Sequence, residues 1–216
     1  TLPAKHAAGK DAAVAATVFK AGKKEGSHCK VCGKVLRKQI TVAKLKPTIS
    51  LTASSLKMKA GQSTTAFKAA GLAKGDYVTR VTSGNTGIVK VSSVTKKGAF
   101  RLTAGKKAGS TTVKVILASK KSASFKVTVQ RGVVKTSKIT VSTKSVTLKK
   151  GTTYRKLASS VKVTPVTSQE KVTYTSSNKK IVTVTSGGVI KGLKKGNATI
   201  TIRSGSKRTT CKVTVK

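Results

Sequence analysis

Between residues 171 and 202 apolar and polar positions alternate in three short runs. Val172 and Tyr174 are flanked by Lys171, Thr173 and Thr175, and the run breaks at Ser176-Ser177-Asn178. A second run, Ile181 to Val184, ends ahead of Gly187-Gly188, and a third, Ala198/Ile200/Ile202, follows Gly196. A period of two bounded by Ser, Asn and Gly predicts short antiparallel strands joined by turns. The same alternation closes the chain, where Cys211, Val213 and Val215 share one face and Lys212 and Thr214 the other. It recurs at Phe125-Lys-Val-Thr-Val129. Such strands bury one side and solvate the other. Cys211 stands where Phe125 stands, so we read it as a small buried hydrophobe and not as a reactive thiol.

These landmarks occur twice in order. Ile49, Leu51, Leu56, Met58 and Gly61 have the spacing of Ile139, Val141, Val146, Leu148 and Gly151. Thr82-Ser-Gly-Asn85 with Ile88-Val-Lys-Val91 aligns with Thr175-Ser-Ser-Asn178 and Ile181-Val-Thr-Val184, and Gly109 meets Gly196. The drifts between blocks fall where loops are expected. Two copies predict two all-β units, 48–130 and 138–216, each of about 80 residues and roughly seven strands.

Residues 1–47 read differently. Val35 to Val42 reads as a strand, and Ala12 to Ala16 favours a short helix on propensity alone, a pattern too short to decide. Ala43-Lys-Leu-Lys-Pro47 is a linker by composition. We expect a small hairpin-like unit that needs a staple or a partner domain, because its apolar content is poor. It holds the chain's one reactive cluster, His28-Cys29-Lys-Val-Cys32-Gly33. Two thiolates on a tight turn can grip a zinc ion, which takes four ligands in structural sites. His28, Cys29, Cys32 and His6 are the candidate ligands. A structural zinc, a Cys29–Cys32 disulfide and free thiols stay open. No βαβ pattern surrounds the CxxC to suggest redox catalysis.

Charge changes the picture most. The chain carries 46 Lys and Arg against 4 Asp and Glu, a net +42. Almost no base can find an ion pair, so the surface field should draw in anionic polymers, screened beyond a Debye length of ~8 Å. Outward Lys also blunts edge-to-edge pairing of strands. Nucleic-acid binding would be sequence-blind, because aromatics are only 3% and Lys outnumbers Arg. The acids Asp11, Glu25, Asp76 and Glu170 form no paired motif, and both histidines lie before residue 48, which argues against glycoside hydrolysis and a Ser/His/Asp triad. No run approaches the ~18 apolar residues of a membrane span. Starting at Thr1, the chain reads as a piece of a longer, multidomain protein.

Two resemblances follow from these motifs. Gly22, Glu25-Gly26, His28-Cys29, Cys32-Gly33 and the 35–42 run resemble a short tandem repeat of Firmicutes surface proteins, with Leu2-Pro3…His6 as the tail of a preceding copy. Members of that repeat often carry another Cys upstream, where this chain has Thr17-Val-Phe-Lys20. Residues 138–216, through Ile139…Leu148…Gly151, Tyr174-Thr-Ser-Ser-Asn178, Gly192-Leu193…Gly196 and Cys211-Lys-Val-Thr-Val215, resemble the bacterial immunoglobulin-like domain, group 2; 48–130 resembles it more weakly. The resemblance implies two tandem Ig-like β-sandwiches without catalytic residues. They would be adhesive or stalk modules of a secreted or cell-surface protein, facing an anionic cell-surface polymer or a host glycan. A sequence-blind nucleic-acid binder and an accessory region of a larger extracellular enzyme are the alternatives.

Overall fold

The structure is a computed structural model and describes residues 6–216; the Leu2-Pro3 motif lies outside the described residues. The N-terminal unit has strands β1 (Ala8–Asp11), β2 (Gly22–Lys23), β3 (Gly26–Cys29), β4 (Val35–Arg37) and β5 (Thr41–Val42). β1, β3 and β4 form one antiparallel sheet, and β2 pairs with β5. The expected strand 35–42 is therefore two strands with different partners. Ala12–Ala16 is not helical: Val14 bridges to Lys23, which exchanges both backbone hydrogen bonds with it. Among the described residues of this unit only Ala16 and Cys29 are buried apolar residues, while Val14, Phe19, Val35, Leu36 and Ile40 are exposed.

The next nine strands are β6 (Ser50–Leu51), β7 (Ser55–Lys59), β8 (Ser63–Thr64), β9 (Ala69–Ala70), β10 (Val78–Ser83), β11 (Val89–Ser92), β12 (Arg101–Ala104), β13 (Gly109–Leu117) and β14 (Ser122–Gln130). Nine more follow: β15 (Lys138–Val141), β16 (Ser145–Leu148), β17 (Thr153–Tyr154), β18 (Val161–Thr164), β19 (Val172–Ser176), β20 (Val182–Val184), β21 (Ile190–Gly192), β22 (Gly196–Ser204) and β23 (Lys207–Val215). The first group builds the sheets β10-β13-β14-β7, β11-β12-β8 and β6-β9; the second builds β19-β22-β23-β16, β20-β21-β17 and β15-β18. The two orders are the same. In each, an early strand lies parallel to the last one, β7 on β14 and β16 on β23. Each group thus has nine strands, not about seven. The added ones are two- to four-residue pieces such as β8 and β21, too short to show a period.

Local chemistry repeats with the topology. Asn85 and Asn178 cap the turns before β11 and β20. The Oδ1 of Asn85 accepts from Gly87 N–H at 2.9 Å, and that of Asn178 from Lys180 N–H at 3.0 Å. Side-chain bonds of this kind mimic a backbone turn. Gly109 and Gly196 open the long hairpins opposite Val129 and Val215. A Cβ on either would lie 2.7 Å from Ile88 Cδ1 or 2.9 Å from Ile181 Cδ1, so in both places an isoleucine packs on bare backbone.

Two separate clusters fill the spaces between sheets. In the first, Phe67 stacks on Phe125 at 4.1 Å between centroids and Phe100 lies 6.3 Å from Phe125. The second has no Phe. It is closed by aliphatic side chains such as Leu157, Ile190, Ile200 and Ile202, with Cys211 fully buried among them. Burial pushes the Cys211 thiol above its usual range. We expect a thiol reagent to label Cys32 in the native reduced chain and to reach Cys211 only after denaturant is added. Native labelling of Cys211, read by peptide mass, would contradict its place in the core.

Candidate functional site

The broadest chemical feature is the outward face of the sheets. Strand periodicity that buries Leu56, Val127 and Val213 turns Lys57, Lys126 and Lys212 to solvent. Cross-strand register then sets most of these bases against a hydroxyl. Lys57 faces Thr128, Lys126 faces Thr112, Lys114 faces Ser124, Lys162 faces Thr140 and Lys212 faces Thr199. Like charges directly opposite one another destabilise a ladder, and this interleaving keeps them apart. Among the described ladders the exception is Arg203, which faces Arg208 across the β22–β23 hairpin; both are exposed.

Carboxylates do not neutralise these faces. Two ion pairs, Lys10–Glu25 at 2.9 Å and Arg37–Glu25 at 3.1 Å, and the His28–Asp11 contact at 2.7 Å are the carboxylate partnerships of bases among the described residues, and all lie in the N-terminal unit. Lys10, hydrogen-bonded to Glu25, holds that carboxyl below the usual range. In the sandwiches, the Asp76 carboxylate accepts from the Ser119 hydroxyl at 2.6 Å, and Glu170 accepts from Thr136 N–H at 2.7 Å. Both acids tie loops together and leave the bases unpaired.

The cysteine turn is the second feature. β3 ends at Cys29, and the chain turns through Gly33 at φ 74°, the left-handed region that glycine enters freely. Gly33 N–H donates to Cys29 O at 2.9 Å, and Cys29 N–H to Lys34 O at 2.8 Å, so the turn presents Cys32 beside Cys29. β1 lies against β3 with Ala8 opposite Cys29, which carries His6 to the same place. His6 Nδ1 is 3.5 Å from Cys32 Sγ, and the donor atoms of His6, Cys29 and Cys32 all lie within 4.8 Å of one another. The Cys32 and Val31 N–H groups, and then His6, hold the Cys29 thiol down to about 6. All three cysteines are unbridged.

His28 stands outside this group. Adjacent residues on a strand point to opposite faces, and its Nδ1 meets Asp11 instead. Of the four residues expected at the site, the structure gathers three. The Asp11–His28 pair was missed in the sequence, because no motif links positions 17 residues apart until β1 and β3 pair.

An open groove of 590 Å³ lies between the two sandwiches, lined by residues such as Ser55, Leu56, Phe67, Val161 and Pro165, with no carboxylate, imidazole or thiol among its walls. Across the same junction Gln62 donates to Thr167 O at 2.9 Å, and the Thr167 hydroxyl donates to Lys57 O. Every buried side-chain polar atom among the described residues has a partner. Among them, no helix is long and apolar enough to cross a membrane.

Comparison with solved structures finds domains 5–6 of the S-layer protein SbsC, 22% identical, with 78% of this chain and 96% of that one covered and a TM-score of 0.40. Domains 4–9 of the same protein match at 20% identity, covering 91% and 35%, with a TM-score of 0.40. Extracellular cadherin domains 1–4 of protocadherin gamma B7 match at 11% identity, covering 91% and 57%, with a TM-score of 0.36. No curated protein sequence matches. The family model of the bacterial Ig-like domain (group 2) matches residues 135–215, the stretch from the start of the Glu170-bound loop to the end of β23.

Proposed function

We propose that residues 48–216 form two tandem Ig-like modules of one kind, acting as non-catalytic structural and adhesive units of a secreted or surface protein. Their cationic faces hold an anionic polymer, a wall polyphosphate or an acidic host glycan. The observation that carries this reading is the absence of any carboxylate partner for a base in either sandwich among the described residues, with Lys arrayed along the exposed strand faces. The same strand order in 48–130 and in the matched domain supports two copies of one module. A groove without a carboxylate, imidazole or thiol, and polar groups satisfied internally, support a role without catalysis.

Repetition suits this work. Interleaved Lys and Thr offer many weak, equivalent contacts in place of one pocket, and linked sites gain avidity from each other. The test is retention of the full chain on immobilised poly(glycerol phosphate) and on neutral dextran at low salt. Retention by the phosphate polymer and passage through dextran is the expected result. Equal retention on both would mean that binding does not need the phosphate charge and would end the electrostatic reading.

A further inference from the structure

We infer that His6, Cys29 and Cys32 form a binding site for one thiophilic divalent metal, zinc by the chemistry of its donors. This goes beyond the polymer-binding reading and does not depend on it. Two thiolates and one imidazole are a borderline-soft set, which suits zinc over the hard cations that take oxygen ligands. The three donors come from two distant places in the chain, and the β1–β3 ladder brings them within 4.8 Å of one another. That span already approaches the spacing of ligands around one tetrahedral ion, whose Zn–S and Zn–N distances are about 2.3 and 2.0 Å.

The unit around the site has a reason to need a metal. Its described buried apolar residues are Ala16 and Cys29, and several large apolar side chains face solvent. A segment this small, with so little core, is held by a crosslink, a metal or a neighbour. A metal here ties the start of β1 to the turn after β3. It closes the open end of the three-stranded sheet.

Three ligands leave a fourth position. His28 is not the fourth: it lies on the other face of β3 and is bonded to Asp11. The other acid of the unit, Glu25, is engaged with Lys10 and Arg37. Water or a small exogenous donor completes the shell, so the site differs from closed structural sites with four protein ligands. Binding releases the thiol protons that remain on Cys29 and Cys32.

The test is titration of the tag-free, reduced full chain with zinc against a colorimetric chelator, and with cobalt(II), whose spectrum reports thiolate ligation and geometry. One equivalent per chain is expected, with thiolate-to-cobalt charge transfer. Cys29→Ser, Cys32→Ser and His6→Ala should each weaken binding by more than about 10- to 100-fold, the cost of losing a group that only supports a ligand. His28→Ala should keep one equivalent with a small change in affinity, which separates this arrangement from ligation by the adjacent histidine. Circular dichroism of each variant checks that the sandwiches persist. The inference is overturned if the reduced chain binds no metal. It is also overturned if binding survives both serine variants, or if His28→Ala abolishes binding while His6→Ala spares it.

Discussion

Phe125→Ala should destabilise the first sandwich by about 3–5 kcal/mol, most of what a small domain has to lose. Phe125 is 2% exposed, and its ring lies 4.1 Å from Phe67 and 6.3 Å from Phe100. Removing it leaves both neighbours facing a void, because close-packed surroundings relax only partly. The effect should stay local. The second sandwich has its own cluster, from Ile139 to Val215. Hydrogen exchange should therefore show weakened protection in β13 and β14 and full protection in β22 and β23. An equal drop in the two hairpins would mean that the cores are one cooperative unit.

Salt should change polyanion binding even more. Raising salt from about 50 to 200 mM should cost about 10³-fold or more in affinity for a mixed-sequence DNA duplex, used as a polyphosphate probe, if six or more phosphates are neutralised. Changing the duplex sequence should matter little. Phe67, Phe100 and Phe125 are buried and only Phe19 and Tyr77 stand exposed, so no aromatic platform is available to stack bases. The Arg203→Ala/Arg208→Ala pair should lower the salt slope by about two, one for each phosphate that an arginine no longer neutralises. It also removes the one base-on-base register among the described ladders, so the variant should not unfold more readily. A flat salt response would mean that the cationic faces do not bind through charge.

Within the candidate site, Cys29, Cys32 and the tight turn at Gly33 were legible as a motif, because they sit within five residues. In the sequence His6 is a candidate ligand only because the chain has two histidines. What places it, and what sends His28 to Asp11, is the pairing of Ala8 with Cys29 and the opposite facing of neighbouring strand residues. The run from Val35 to Val42 misled for a similar reason. Alternation reports strand propensity, but it cannot show that Val35–Arg37 pairs with β3 while Thr41–Val42 pairs with β2. Short strands such as Ile190–Gly192 carry too few residues for a period and exist because both β17 and β20 pair with them.

The amino-acid order by itself determined the all-β class, the buried face of each long strand, the Asn-capped turns and the excess of positive charge. Those follow from side-chain period, turn chemistry and composition, which are local or additive along the chain. Tertiary structure decided which bases oppose hydroxyls and which oppose each other, where the two acids of the sandwiches are spent, and which imidazole meets the thiols. These depend on register between strands distant in sequence, and a shift of one residue would turn every side chain to the other face.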